Sequence, residues 1–245
     1  MHKTFAAPLF ALALLALPVA AEAKEPIAPS RPDFAESSTT VGHRVYQIEQ
    51  GITYEGAGSV VSTLLPSLHR FGFGDNLEMR VETPILKLTG GVPAFQELAV
   101  GGKWHFGGTG ELGELPSFAL LGNAILNQTG GIEPFALLAL DANLPMGFAL
   151  NGSIGASLPA GNTAPSSMFA ASFTRGLSDQ LTAFLELSGG RDFQAGTDEL
   201  GVDGGLQYLI NDDLMWDVGV YKGLTAASTE WYVTTGISVR YGLYE

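Results

Sequence analysis

Over residues 77–83 every second side chain is charged and every other one is apolar: Glu78, Arg80 and Glu82 alternate with Leu77, Met79 and Val81, and the two sets never mix. Successive side chains of a β-strand point to opposite faces, so such a stretch has one polar face and one that carries no charge. A strand lying against lipid requires that uncharged face. The pattern recurs in 97–106, where Leu98, Val100, Gly102, Trp104 and Phe106 are uncharged while Glu97, Lys103 and His105 share the other parity. It returns near the C-terminus, where Trp231, Val233, Ile237, Val239 and Tyr241 alternate with Tyr232, Thr234, Ser238 and Arg240.

Scanning on this period predicts strands at 44–54, 60–73, 77–83, 94–106, 115–126, 134–144, 147–158, 167–177, 181–188, 198–210, 214–222 and 230–241, of which 60–73 and 115–126 alternate poorly. Most approach the roughly nine to eleven residues with which a tilted strand crosses the hydrocarbon layer. No segment after residue 23 comes near the roughly eighteen consecutive apolar residues of a spanning helix, so a chain like this crosses a bilayer only as a closed sheet. The expected fold is all-β: a transmembrane antiparallel up-and-down β-barrel of about twelve strands with an N-terminal periplasmic arm. The 32 glycines fit that reading, since glycine serves tight turns and crowded barrel interiors.

The first 23 residues carry Lys3, an apolar run from Phe5 to Val19, and small residues ending Ala21-Glu22-Ala23, the pattern of a cleavable secretory signal. Residues 24–43 are rich in Pro, Ser and Thr and have no apolar period, so they form either a periplasmic arm or a plug that enters the barrel; the barrel itself is expected over 44–245. With the N-terminus periplasmic, the short polar connections at 74–76, 144–146, 178–180 and 211–213 fall on the periplasmic side. The connections at 87–93, 127–133, 159–166, 189–199 and 222–230 are expected to be longer outer loops, and 107–114 is a long exception on the periplasmic side. Aromatics near the predicted strand ends, Tyr46, Tyr54, Phe71, Phe73, Trp104, Phe106, Trp231 and Tyr241, are placed to form two interfacial girdles.

Four segments, Arg31-Pro32-Asp33-Phe34-Ala35-Glu36-Ser37, Gln47 to Tyr54, Leu65-Pro66-Ser67-Leu68-His69-Arg70-Phe71-Gly72 and Asp75 to Arg80, resemble a family of outer-membrane barrels named for the MetA pathway of phenol degradation and often called transporters. The resemblance covers the chain after residue 23 in outline and is specific over about 31–82. It implies an outer-membrane barrel with a role in uptake of small compounds, aromatic ones among them. Barrels of such families commonly end on an aromatic residue read by the outer-membrane assembly machinery, whereas this chain ends Tyr241-Gly242-Leu243-Tyr244-Glu245, leaving Tyr241 or Tyr244 as the signal.

The candidate functional residues are the charges on the inward parity: Glu49, Glu78, Arg80, Glu82, Lys103, Glu186, Asp203 and Arg240. They either line a narrow polar path and set its ion preference or pair across strands to fill the interior, and twelve strands is intermediate between a filled and an open barrel. Arg31, Asp33 and Phe34 are the candidates of a plugging arm, with Arg31 and Asp33 expected to pair interior charges. Ser67 and His69 share a strand face, but no acidic residue at 65 or 71 completes a triad, and no enzyme is expected. Gly108-Thr109-Gly110-Glu111-Leu112-Gly113 matches a nucleotide-binding glycine pattern without a following helix and is expected to be a flexible turn. His2, His43, His69 and His105 show no metal-ligand spacing, there is no Cys, and no cofactor is expected.

A net charge of −13, unchanged by removal of residues 1–23, excludes nucleic acid as a partner, since phosphate binding needs a basic surface. The expected partners are outer-membrane lipid, the assembly machinery and a small solute. The expected function is to permit or assist passage of that solute across the outer membrane after export to the periplasm. The alternative is a closed structural or surface-interaction barrel, and a soluble β protein would instead have to bury its uncharged faces against a second sheet.

Overall fold

The computed structural model describes residues 25–242 apart from 91 and 129, so the expected leader lies outside the described residues. The strands are β1 (Val45–Ala57), β2 (Val60–Gly72), β3 (Leu77–Thr89), β4 (Val92–Phe95), β5 (Glu97–Gly107), β6 (Ser117–Asn127), β7 (Ile132–Leu144), β8 (Phe148–Ser157), β9 (Ser166–Gly176), β10 (Leu181–Asp192), β11 (Thr197–Asn211), β12 (Leu214–Gly223) and β13 (Trp231–Gly242). Each pairs antiparallel with its neighbours, and β1 closes on β13 in unbroken register from Val45 opposite Gly242 to Gly56 opposite Trp231. β4 and β5 both pair with β3 and are parted by Gln96 alone, so they form one wall strand and the barrel is twelve-stranded. Closure leaves no sheet edge, which is what backbone groups in hydrocarbon demand.

The wall is turned inside out relative to a soluble protein. Val100, Trp104, Leu138, Ile154, Phe173, Leu185, Trp216, Val220 and Ile237 lie exposed on its outer face, whereas Gln47, Glu49, Arg70, Glu78, Lys103, Glu186, Asp217 and Ser238 are buried within. Both ends of the wall sheet, Val45 and Gly242, lie at one end of the barrel, called here the terminal end. A girdle there stacks Tyr46 on Phe71 at 4.8 Å and on Tyr241 at 6.0 Å, and Trp104, Phe106 and Phe118 continue it. Tyr54 against Trp231, 5.8 Å apart, stands at the far end. Such rings favour the level of the lipid headgroups.

Three expected boundaries are corrected. The strand expected at 77–83 runs on to Thr89, because Pro84-Ile85 pass opposite Pro66 as a bulge; the register with β2 shifts between Leu65 and Ser67, and the side-chain parity resets. The outer loop expected at 87–93 is therefore largely strand, with β3 and β4 paired out to Thr89 opposite Val92 and Gly90 at φ +60°, a conformation suited to glycine. The loop expected at 189–199 shrinks likewise to 193–196, since β10 and β11 pair out to Asp192 opposite Thr197. The connection at 108–116 is ordered rather than flexible, with Gly110 N–H donating to the Leu115 carbonyl and Asn143 N–H to the Gly110 carbonyl.

Val100 sits mid-strand with 46% of its surface exposed on the outer wall. Val100→Arg is expected to lower folding stability in lipid vesicles by about 2–4 kcal/mol, measured by urea titration, with a much smaller effect in detergent.

Candidate functional site

Residues 27–44 form a loop that enters the barrel at the terminal end, reaches into the lumen and returns to the same end. Ile27 N–H donates to the carbonyl of Asp212 in the β11–β12 turn (2.8 Å), and on the return Arg44 N–H donates to the Gly72 carbonyl (3.2 Å) just before β1 begins. Asp33 and Phe34 lie at the tip. Phe34 meets Tyr221 and Tyr232 edge-on, with centroids at 5.9 and 6.0 Å.

Glycines on the inward face make room for this segment. Gly51 of β1 and Gly236 of β13 are register partners, and a Cβ on either would collide with the Arg31 guanidinium; Pro32 lies against Gly219 of β12. Arg31 is thereby laid on the wall, where Nη2 and Nε donate to the two Asp217 carboxylate oxygens at 3.1 and 3.3 Å and Nη2 also to Thr234 Oγ1 at 3.0 Å. The fork geometry of guanidinium on carboxylate fixes orientation as well as distance. At the tip, the backbone N–H groups of Phe34 and Ala35 donate to Glu186 Oε1 (2.8 Å) and Oε2 (2.7 Å).

The returning limb is held by a buried ion network on β2, β3 and β5. Glu36 accepts from Arg80 at 2.8 and 2.9 Å and from Lys103 Nζ at 2.8 Å. Arg70 donates to Glu49 (3.1 Å) and Glu78 (3.0 Å) and also to the carbonyls of Ala28 (2.9 Å) and Thr39 (3.2 Å), so one guanidinium grips both limbs of the loop. Ser30 N–H donates to Glu49 and Val41 N–H to Glu78, both at 2.9 Å, and Ser38 binds Asp141 through its N–H (2.8 Å) and hydroxyl (2.7 Å).

The eight inward-parity candidates all lie inside the wall, but in different settings. Glu49, Glu78, Arg80 and Lys103 belong to the ion network, and Glu186 caps the loop's tip. Glu82 accepts from Asn123 at 3.3 Å. Arg240 stands at the terminal rim and donates to Asp213 Oδ1 (2.7 Å) and the Asp212 carbonyl (2.9 Å), tying down a turn rather than facing the bore. Asp203, directly opposite Glu186 in the β10–β11 register, meets that carboxyl and receives no N–H or hydroxyl hydrogen bond at either carboxylate oxygen from the described residues. Arg31 does pair an interior charge, whereas Asp33 does not as expected: its charged neighbours are Glu186 and Glu36. The reading of the sequence missed Arg70, Asp217 and Glu36. Arg70 lies on the poorly alternating β2, where inward Leu68 and outward His69 blur the parity. Ser67 and His69 face outward, Oγ and Nε2 3.3 Å apart, with His69 Nδ1 2.7 Å from the Tyr46 hydroxyl in the girdle.

The loop's two carboxyls respond to pH in opposite senses. Burial pushes Asp33 up to about 8 from an ordinary 3.8, with Glu186 adding to the rise and Ser172 opposing it. Burial would raise Glu36 too, but Arg80 and Lys103 outweigh it and hold the carboxyl far below its ordinary 4.5. Docking through Glu36 is thus fully present above the ordinary carboxylate range and lost only in stronger acid. The docked form binds Asp33's proton more tightly than the free form, so its contribution is full below about 3.8 and declines as pH rises to about 8. The chain has no Cys, so a spin label on Ala28→Cys reports the loop alone. Its mobile fraction is expected to grow between pH 5 and 8, and Asp33→Asn to flatten that rise. Arg70→Ala leaves buried Glu49 without its cation and Glu78 with only the longer contacts to Arg80 (3.4 Å) and Lys103 (3.9 Å), and is expected to cost about 3–5 kcal/mol in urea unfolding.

Comparison with solved structures places the fold among porins. The NanC porin superposes with a TM-score of 0.59 at 9% identity, over 78% of this chain and 98% of that one. The KdgM porin in complex with disordered oligogalacturonate gives 0.56 at 10% identity, over 80% and 98%. Another structure of the KdgM porin gives 0.54 at 12% identity, over 79% and 98%. A search of curated proteins returns no match. The family model described as "Putative MetA-pathway of phenol degradation" matches residues 29–241, which take in the lumenal loop from residue 29 onward and nearly the whole wall, and the chain belongs to that family.

Proposed function

We propose that the barrel passes a small solute across the bacterial outer membrane and that the lumenal loop is the element that yields to open the way. The observation that carries this reading is that the bore is occupied by a separate chain segment. The wall's own side chains leave space for residues 27–44 to enter and return, so the interior without that segment is a polar passage of chain width. Twelve strands place the barrel between those filled by their own side chains and those with a wide water channel. The loop is held mostly by hydrogen bonds and ion pairs, which water replaces more readily than it replaces a packed apolar core. Similarity in fold to porins, one of them solved with oligogalacturonate, supports the same reading, and the family's name supports aromatic solutes as cargo.

The lumen carries more acids than bases, so the passage is expected to favour cations over anions. Single-channel recording in planar bilayers tests both points. Deleting residues 25–40 is expected to enlarge conductance steps several-fold over the full chain, with a reversal potential on the cation-selective side in a salt gradient. Equal silence from both proteins, each shown to be folded, would instead mean a closed structural barrel.

A further inference from the structure

The two sides of the lumen are charged differently. On β2, β3 and β5 the cations Arg70, Arg80 and Lys103 are matched by Glu49, Glu78 and Glu36. On β10 and β11, Glu186 and Asp203 stand directly opposite each other, with the loop's Asp33 beside Glu186. The nearest arginine of the loop, Arg31, is committed to Asp217. Asp203 is only 5% exposed, yet no N–H or hydroxyl of the described residues donates to either of its carboxylate oxygens, and the polar group it meets is another carboxyl, that of Glu186. Like charges facing one another across a strand pair are destabilising, and a buried carboxylate without a donor forfeits its solvation. This is an arrangement that a positive charge would stabilise.

Beside it is a surface suited to the rest of a cation. Asp203 is register partner to Tyr221, and Tyr221 to Tyr232, so carboxylates and rings form one row around the inner wall. The two tyrosine rings are parallel within 1° at 4.7 Å, and Phe34 meets both edge-on while remaining 47% exposed. Asp203, Glu186 and Asp33 all lie within electrostatic reach of the Tyr232 hydroxyl. Stacked aromatic faces next to carboxylates attract an organic ammonium through both cation–π and Coulomb interactions. A metal ion fits less well, because no group of three acidic or histidine side chains among the described residues has the spacing to hold one.

We propose that the inner wall at the tip of the lumenal loop binds a small organic cation, its ammonium group against Asp203 and Glu186 and its apolar part against Tyr221, Tyr232 and Phe34. The site names the solute class for the passage proposed above and rests on that reading for its role, but its occupancy is measurable without any current. Such a ligand also touches Phe34 at the tip of the loop, so its binding is coupled to the loop's position.

Equilibrium dialysis of the folded full chain in detergent micelles, with benzyltrimethylammonium as the probe, tests the proposal. Binding is expected to be at least tenfold tighter than for benzoate, which keeps the ring and reverses the charge, and tighter than for tetramethylammonium, which keeps the charge and lacks the ring. Asp203→Asn removes a repelling charge and is not expected to impair folding, yet it should weaken binding at least tenfold; Tyr232→Leu should weaken it about fivefold. Absence of benzyltrimethylammonium binding, equal binding of benzoate, or affinity unchanged in Asp203→Asn would each overturn the proposal. A barrel that binds the probe but never conducts would keep this site and overturn the passage; a conducting barrel that does not bind it would do the reverse.

Discussion

Lipid against the outer wall leaves the charged side chains of the strands one direction in which to point. A charge on the hydrocarbon-facing surface costs several kcal/mol, so Glu78, Arg80, Lys103, Glu186 and Asp203 must turn inward, and the uncharged parity of each strand becomes its outer face. Closure follows from the same solvent, because an open edge would leave backbone groups unpaired in hydrocarbon. Inside the barrel the problem is reversed: acids and bases are crowded into a narrow space, where each must find a partner, a proton or water.

The lumenal loop is one answer to that crowding. Glu36 brings a further carboxylate to Arg80 and Lys103, which the wall pairs with Glu78, and Arg31 brings a cation to Asp217. The loop also spends its backbone groups on the wall's carboxylates, at Glu49, Glu78, Asp141 and Glu186. Glycines at 51, 219 and 236 lower the wall under Arg31 and Pro32, and this is a specific use of a glycine content that composition could only explain in general terms.

What the loop does not do is balance the charges evenly. It completes the cationic wall of β2, β3 and β5 and adds Asp33 to the side that already holds Glu186 and Asp203. The bore is therefore polarised across its width, with tyrosines at the acidic side. A solute moving past the loop's tip would meet that acidic, aromatic surface first, which links the ion preference proposed for the passage to the chemistry of one row of side chains.

Period-two alternation by itself determined the barrel, its twelve wall strands and which parity faces lipid, because a side chain's face depends only on its position along an extended strand and on what the bilayer forbids. It located every charged candidate on the inward face for the same reason. It lost the strand after Thr83, where a bulge at Pro84-Ile85 resets parity, and it overlooked Arg70, where an inward leucine and an outward histidine obscure the period. Which inward charges meet was decided by tertiary structure alone. The register brings Glu186 to Asp203 and Gly51 to Gly236, and the path of residues 27–44 sets Arg31 on Asp217 and Asp33 among acids; these depend on strand stagger around a closed ring and on contacts between residues as far as 203 positions apart, which no local pattern encodes.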